Sequence, residues 1–444
     1  MPIEKKLYVS KFAGCVLYWV LAGFVIFEGS ARAESLEEIT AKADQGSVPS
    51  MVALGYYYLA DGRDKHQAYR WFLQAARQDE SEGQRQVATM YLNGIGIKKN
   101  VQKAAYWFGL LAENGDAEGQ YQYGRSLFFG EGIPVDKLLA YEWFLRAARN
   151  GSDAAKAQLA EMYILGDGIG KNYKKAISWR EQLASDGNAG AMKELGWMYY
   201  RGEGLSVDKA AAFEWFLKAS RGGDLSAMGK VSNMYYVGEG VKKSIEKSFY
   251  WTSKAAEKGV ASAQYNLAMM FAKGDGVKPS EENAAKWFLS AAEQDYLLAQ
   301  NNIAWKYSKG FGVEEDSVKA AYWYKRSAEN GDPAGQYNLG RMLFKGDGVE
   351  RDEVKAFSWW KKAAEQEFVL AQSRLGYCFI KGIGVEQDME QARLWWSRAA
   401  ANGNEVARRN LGILCSESPE VCSELPVDNA ETEKKWQKAD SSSF

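Results

Sequence analysis

Residues 155–187 have the sequence AKAQLAEMYILGDGIGKNYKKAISWREQLASDG, and two of their landmarks recur along the chain. One is a Gly-x-Gly pair, here Gly166 and Gly168, and the other is a tryptophan, here Trp179. The tryptophan returns every 36 residues, at Trp71, Trp107, Trp143, Trp179, Trp215, Trp251, Trp287, Trp323, Trp359 and Trp395. A fixed period of about 20 to 50 residues is the signature of a repeat protein. The repeat is therefore predicted to form one elongated domain, where a chain of 444 residues would otherwise suggest two or three.

The same stretch predicts two helices joined by the glycine loop. Ala155, Leu159 and Tyr163 are four residues apart, which puts them on one face of a first helix. After the loop, Ala176 and Leu183 lie seven residues apart on one face of a second helix. Glycine between them tolerates the left-handed backbone that ends a helix. Each repeat is therefore predicted to be a helical hairpin, and the fold to be all-α.

A second periodic signal marks where each second helix begins. Seven residues before each tryptophan stands an Asp, Asn or Ser, and these side chains can accept hydrogen bonds from the free N–H groups of a helix start. The ten residues are Asp64, Asn100, Asp136, Asn172, Asp208, Ser244, Ser280, Asp316, Asp352 and Asp388. All are predicted to be N-caps.

Together these residues resemble the SLR family (the Sel-one-like repeats), a variant of the tetratricopeptide repeat with a longer loop inside the hairpin. The family pattern is nearly whole in Leu339-Gly340, Gly346-Asp347-Gly348-Val349, Asp352, Lys355-Ala356, Trp359 and Ala363-Ala364. The resemblance implies a right-handed α-solenoid of about ten 36-residue hairpins over residues 34–414, ending in a terminal helix. It is specific for the fold and implies little about function.

The first 33 residues lie outside the repeat and are predicted to be a signal peptide. Three lysines within the first 11 residues precede an uncharged, mostly apolar run at 12–27, and Ala31-Arg32-Ala33 offers a cleavage site before Glu34. An uncleaved anchor is the alternative, although 16 residues are fewer than the roughly 20 that span a bilayer. We expect export to the periplasm.

Residues 415–444 are predicted to form a C-terminal cap and a flexible tail. Export to an oxidising compartment predicts a disulfide between Cys415 and Cys422, and cysteine-rich members of the SLR family resemble this by bridging the helices of a hairpin. Two free thiols are the alternative. Cys378 lies inside a predicted first helix and is expected to be buried and reduced.

The sequence contains no motif that is typical of an enzyme active site. His66 is the one histidine, which leaves no catalytic Ser/His/Asp or Cys/His set and no histidine-rich metal site. The Gly-x-Gly pairs lack the third glycine and the preceding strand of a dinucleotide site. A net charge of −1 argues against nucleic acid as a partner. We predict no enzyme, cofactor or metal, with carboxylate pairs in a groove as the open enzymatic alternative.

By analogy with tetratricopeptide repeats, first helices would line a concave groove that holds a protein partner. Two inward positions vary along the chain, and aromatic or arginine residues, the types that dominate binding hot spots, occupy many of them. The predicted partner-binding residues are Tyr56, Tyr121, Arg125, Trp197, Tyr265, Trp305, Tyr337, Arg341 and Tyr377. The alternative is that some of these side chains only pack the solenoid.

The resemblance favours an exported scaffold or adaptor in envelope, exopolysaccharide or signalling machinery. Two alternatives stay open: an immunity protein that neutralises a secreted toxin such as a phospholipase, and a glycan- or peptidoglycan-binding protein. We expect membrane association only through a partner. The sequence leaves the oligomeric state open, a monomer included.

Overall fold

The computed structural model describes residues 18–21, 24–27 and 34–422. Most of the predicted signal peptide, including its cleavage site, lies outside these residues, and so does the predicted tail after Cys422. Within the described ranges the chain has three short strands, 23 α-helices and one 3-10 helix.

The strands lie at the N-terminus, where the sequence analysis predicts none. β1 (Tyr18–Leu21) pairs antiparallel with β2 (Phe24–Phe27), and β2 pairs antiparallel with β3 (Glu34–Ser35). Aromatic and β-branched residues, which favour extended backbone, make up much of the first two strands. The all-α prediction is therefore confirmed for the repeats and does not extend to this segment.

The helices are numbered α1 to α23 in chain order. Their bounds are Leu36–Asp44, Val48–Leu59, Lys65–Ala76, Ser81–Asn93, Val101–Glu113, Ala117–Phe129, Lys137–Arg149, Asp153–Leu165, Tyr173–Ser185, Ala189–Arg201, Lys209–Arg221, Leu225–Val237, Ile245–Glu257, Ala261–Lys273, Glu281–Glu293, Leu297–Tyr307, Ser317–Glu329, Pro333–Lys345, Glu353–Glu365, Val369–Lys381, Met389–Ala401, Glu405–Glu417 and Pro419–Cys422. The 3-10 helix, Ala60–Gly62, forms the shorter loop of the first hairpin.

From α2 to α21 these helices form ten hairpins, in which even-numbered helices are the first helices and odd-numbered helices the second. The chain divides into two compact units, Met1–Gly222 and Gly223–Phe444. The five hairpins from α2/α3 to α10/α11 belong to the first unit. The second contains the five hairpins from α12/α13 to α20/α21, followed by α22 and α23.

The predicted N-caps are confirmed in all ten second helices. Asp136, for example, has extended backbone and its side chain accepts from the Leu139 N–H at the start of α7. The other nine predicted residues cap α3, α5, α9, α11, α13, α15, α17, α19 and α21 in the same way. This cap fixes the residue at which the chain turns back along the first helix.

The two glycines of each loop have different structural roles. The first, such as Gly346 with φ 72°, adopts left-handed backbone and ends its helix. The second lies against the preceding hairpin, since a Cβ on Gly348 would stand 2.1 Å from the carbonyl oxygen of Ser317 at the start of α17. The Gly-x-Gly spacing therefore ends one helix and permits close packing between successive hairpins.

The fully buried aromatic of a hairpin is the residue after the repeating tryptophan, a position the sequence analysis overlooks. Eight of the ten hairpins carry a buried ring there: Phe72, Phe108, Phe144, Phe216, Phe288, Tyr324, Trp360 and Trp396. The repeating tryptophans themselves are half-buried, apart from the buried Trp323 and Trp395. In most hairpins the repeating tryptophan is therefore not the most deeply buried aromatic ring.

A small residue of the first helix makes room for that buried ring. A Cβ built on Gly196 would lie 2.7 Å from the ring of Phe216, and one on Gly340 would lie 2.5 Å from Nε1 of Trp360. The Trp360 Nε1–H in turn donates to the backbone carbonyl of Tyr337 at 3.1 Å. Helix and ring therefore interlock inside hairpins that carry this buried ring.

Candidate functional site

All nine predicted partner-binding residues lie on first helices. Tyr56, Tyr121, Arg125 and Trp197 belong to α2, α6 and α10 of the first unit. In the second unit, α14, α16, α18 and α20 carry Tyr265, Trp305, Tyr337, Arg341 and Tyr377. The repeat places them at two positions, one helical turn apart, on alternate first helices of the first unit and on successive first helices of the second.

In the first unit, Tyr56 is half-buried and its hydroxyl is held by two side chains of α4. Its hydroxyl donates to the carboxylate of Glu82 and accepts from the Gln86 side-chain amide at 3.0 Å. Burial, followed by the negative charge of Glu82, raises the pKa of Tyr56 well above its usual range. Tyr56 is therefore held neutral and oriented by α4.

Trp197 is half-buried and partly belongs to the core. Its ring packs edge-on against the buried ring of Phe216, with centroids 5.0 Å apart, and the guanidinium of Arg201 lies 4.8 Å from the indole. On α6, two hairpins earlier, the guanidinium of Arg125 donates to the side chain of Gln122 at 3.2 Å. These contacts position both side chains while leaving part of each exposed.

In the second unit, Trp305 is the most exposed of the predicted aromatics. Its side chain remains 46 % exposed although its neighbours Ile303 and Ala304 are fully buried in the core. The ring stacks on Phe311, itself exposed, with centroids 5.2 Å apart. On α20, Tyr377 is 38 % exposed. The fold therefore does not use the outer part of these rings.

The tyrosines at the second inward position are partly core residues. Tyr121 packs against the buried ring of Phe144 with centroids 5.8 Å apart, and Tyr265 packs in the same manner against Phe288 at 5.6 Å. Burial raises the pKa of the Tyr121 and Tyr265 hydroxyls. Each ring is half-buried, so one side supports the hairpin and the other is available for contact.

Two hairpins lack the buried aromatic that follows the repeating tryptophan. Arg180 stands there in the first unit and is 7 % exposed, with its guanidinium 3.2 Å from a carboxylate oxygen of Glu161. Thr252 stands there in the second unit and is 5 % exposed. The 36-residue period shows in the sequence that Arg180 and Thr252 differ from the other eight residues at this position. The difference has meaning only once the structure shows that this position fills the core of the hairpin.

Three of the four cysteines lie toward the C-terminal end of the second unit, and Cys15 lies outside the described residues. A disulfide joins Cys415 of α22 to Cys422 of α23, with Cα atoms 5.4 Å apart. Cys378 is a free thiol inside α20, and burial raises its pKa to about 12. The buried thiol is therefore expected to react slowly with alkylating reagents while the protein is folded.

We expect reduction of the Cys415–Cys422 bond to loosen only the last helices. The bond spans seven positions along the chain, and closing so short a loop stabilises by at most about 3 kcal/mol. Because repeats contact mainly their neighbours, hydrogen exchange should accelerate in α22 and α23 and stay unchanged in α12 to α18. Denatured, non-reduced protein should show Cys378 alkylated and the other two protected in mass spectrometry. Alkylation of all three thiols would contradict the assignment.

Comparisons with known proteins identify the repeat. A model described as the Sel1 repeat matches ten consecutive segments: 48–80, 81–116, 117–152, 153–188, 189–224, 225–260, 261–296, 297–332, 333–368 and 369–404. This chain belongs to the Sel1 repeat family. A comparison of this chain with curated proteins found no significant match.

Two solved structures resemble the Sel1 repeat chain over most of its length. The protective antigen c5321 of uropathogenic Escherichia coli is 29 % identical with a TM-score of 0.55, covering 90 % of this chain and 93 % of that one. A Sel1 repeat protein from Oxalobacter formigenes is 30 % identical with a TM-score of 0.56, covering 74 % and 93 %. The immunity protein Pa5087 from Pseudomonas aeruginosa is more distant, at 19 % identity and a TM-score of 0.27 over 48 % and 81 %. At that distance the likeness carries no argument about function.

Sel1 repeat proteins are generally non-catalytic scaffolds for protein interactions. Over the residues that the structure describes, no three His, Cys, Asp or Glu side chains come together as a metal site. In the same ranges, none of the helices combines the length and apolar character that crossing a membrane requires. Proteins of this family therefore act through the surfaces of their hairpins, which contact other proteins.

Proposed function

We propose that this chain is an exported protein-binding scaffold, which holds a protein partner against its first helices within envelope, exopolysaccharide or signalling machinery. Membership of the Sel1 repeat family supports the scaffold role. The observation that carries the proposal is the exposure of Trp305, an indole that stands outside a core already filled by Ile303 and Ala304.

An exposed indole of this kind suits a binding hot spot. Tryptophan, tyrosine and arginine are the residues that most often dominate binding energy. The two aromatics bury large areas with few rotatable bonds, and arginine offers a planar guanidinium with five hydrogen-bond donors. Tyr377 and Arg341 add two more exposed side chains of these types on first helices of the same unit. A partner that covers these side chains would remove apolar surface from water without disturbing the hairpins.

The proposal is tested by purifying the protein with its endogenous partners from cells that express it. Wild type is compared with Trp305→Ala and with the matched control Tyr322→Ala, which removes a ring that is 55 % exposed on the second helix α17. Envelope machinery recovered with wild type and Tyr322→Ala but lost with Trp305→Ala supports the scaffold role.

Other outcomes of the purification favour the alternative functions. A one-to-one complex with a secreted toxin such as a phospholipase would replace the adaptor role with that of an immunity protein. Retention on isolated cell wall without any protein partner would support glycan or peptidoglycan binding. Recovery that is equal for all three variants would contradict a partner site on the first helices.

The export part of the proposal predicts that the mature chain begins near Glu34. The lysine-rich start, the apolar run at 12–27 and the Ala31-Arg32-Ala33 site support cleavage at this point. N-terminal sequencing of protein recovered from the periplasm of a Gram-negative host should return Glu34. A membrane-bound product whose sequence starts upstream of Ala31 would contradict cleavage and make the segment an anchor.

A further inference from the structure

The hairpin α12/α13 lacks the aromatic ring that fills the interior of its neighbours. In the next hairpin Phe288 occupies this slot beside Ala268, and both are buried. One repeat earlier, 36 residues back, Thr252 and Ser232 occupy the same two positions. A threonine fills much less space than a phenylalanine, so the slot is left without its largest side chain.

A second side chain is missing at the mouth of the same slot. Gly229 stands at the position that holds Tyr265 in the next hairpin, and a Cβ built on Gly229 would meet no atom within 4 Å. The smaller side chains at positions 252 and 229 together leave a pocket of about 760 Å³ between α12, α13 and α14. Pockets that accept organic ligands or side chains have volumes of roughly 300–1,000 Å³.

The floor of the pocket is a group of hydroxyls that hydrogen-bond to one another. Ser232 Oγ lies 2.6 Å from Thr252 Oγ1, 3.0 Å from Ser248 Oγ and 3.1 Å from the Ser248 carbonyl oxygen. All three residues are buried. Because their hydrogen bonds are made within the protein, the floor does not require a polar ligand above it.

The walls are apolar and the rim is polar. Ala255, Ala263 and Met270 are buried side chains that line the pocket. The exposed amides of Asn233 and Asn266 lie at its edge. Such an arrangement suits an apolar group inside and hydrogen-bonding backbone outside, as in the pockets that hold hot-spot anchors.

We propose, building on the protein-binding role above, that this pocket receives an aromatic side chain from the partner protein, which fills the slot that Thr252 leaves open. The neighbouring hairpins indicate the shape of the occupant, because Phe288 and Tyr265 show which groups the same framework accommodates. The rim amides then bond the partner's backbone on either side of the anchor residue.

The second hairpin that lacks the buried aromatic ring, at Arg180, is less suited to receive an aromatic side chain than the hairpin at Thr252. In the first unit Arg180 pairs with Glu161, and both line a smaller pocket of about 350 Å³ that therefore presents an ion pair to any occupant. At Thr252 the side chains nearest the empty slot, Ser232 and Ser248, are small. The longer Met269 and Met270 and the rings of Tyr236 and Tyr265 line the surrounding pocket. The larger pocket at Thr252 combines apolar walls with an uncharged hydroxyl floor, which suits an aromatic ring better than the ion pair at Arg180.

The test uses the full chain and capped amino acids as probes. N-acetyl-phenylalaninamide, N-acetyl-alaninamide and N-acetylglucosamine are titrated by saturation-transfer NMR. Ser232→Gly combined with Thr252→Phe restores the interlock of the other hairpins and closes the floor. Gly229→Tyr restores the side chain of the next repeat and closes the mouth without touching the buried slot, and Gly229→Ala serves as its control.

We expect wild type and Gly229→Ala to bind the phenylalanine probe with a Kd on the order of 1 mM, as a fragment of this size allows. Both closing variants should weaken it by about tenfold or more, and the alanine probe should not bind. If one closing variant fails to fold, the other still decides the result.

Three outcomes would overturn the assignment: no binding of the phenylalanine probe to wild type, equal binding to the closed variants, or binding of N-acetylglucosamine in its place. The probes contain no partner protein, so these outcomes are separate from the Trp305 test of the scaffold role. If Trp305→Ala loses the partner while the phenylalanine probe fails, the scaffold stands and the pocket assignment is wrong.

Discussion

Replacing Phe216 with alanine is expected to lower the free energy of unfolding by about 3–5 kcal/mol, the usual effect of removing a fully buried aromatic ring. Phe216 is 0 % exposed and lies so close to Gly196 that a Cβ there would be 2.7 Å from the ring. The helices cannot close on the cavity without losing this interlock. Urea unfolding followed by circular dichroism, with hydrogen exchange of α10 and α11, measures the effect.

The matched control for this substitution is Phe129→Ala in the same unit. Phe129 is 55 % exposed at the end of α6, so its removal should change stability by less than about 1 kcal/mol. Equal losses in the two variants would mean that the residue after the repeating tryptophan is not the core position.

Trp305→Ala is expected to weaken partner binding by about 2 kcal/mol, or roughly 30-fold in Kd, with little change in stability. The exposed indole contributes area to an interface but little to the core, because Ile303 and Ala304 already fill the interior beneath it. Titration calorimetry with the purified partner, paired with thermal unfolding of the free protein, separates the two effects.

Trp197→Ala is expected to weaken binding on the same scale but with a visible loss of stability. Its ring packs against Phe216, and an aromatic pair of this kind contributes about 0.5–1.5 kcal/mol beyond the buried area. Tyr322→Ala is the control for both substitutions, because its ring is exposed on a second helix. If Trp305→Ala unfolds as early as Phe216→Ala, the indole belongs to the core and its role in binding is wrong.

The repeat architecture follows from the sequence because its signals are local and periodic. A tryptophan every 36 residues and an N-cap seven residues earlier fix the hairpin length and the start of each second helix. Asp136 shows how little tertiary information this needs, since its cap bond reaches only three residues along the chain. The loop glycines are equally local in their effect on helix ends.

The candidate site is less accessible to sequence reasoning because exposure depends on neighbouring helices. Trp197 and Trp305 occupy equivalent positions, 108 residues apart, but one packs against Phe216 and the other stays largely in solvent. Predicting the pocket at Thr252 from the sequence would require knowing that the residue after each tryptophan fills the core of its hairpin. The tryptophan is identical in all ten repeats, whereas the residue after it varies among Phe, Tyr, Trp, Arg and Thr and so gives no periodic signal.

The central claim, that a protein partner lies against the first helices, is tested most directly by photo-crosslinking in cells. A benzophenone amino acid is placed at position 305 on α16 or, as the control, at position 322 on α17. We predict that irradiation crosslinks a discrete partner from position 305 and leaves the protein uncrosslinked from position 322. A partner captured from position 322 and absent from position 305 would contradict the claim.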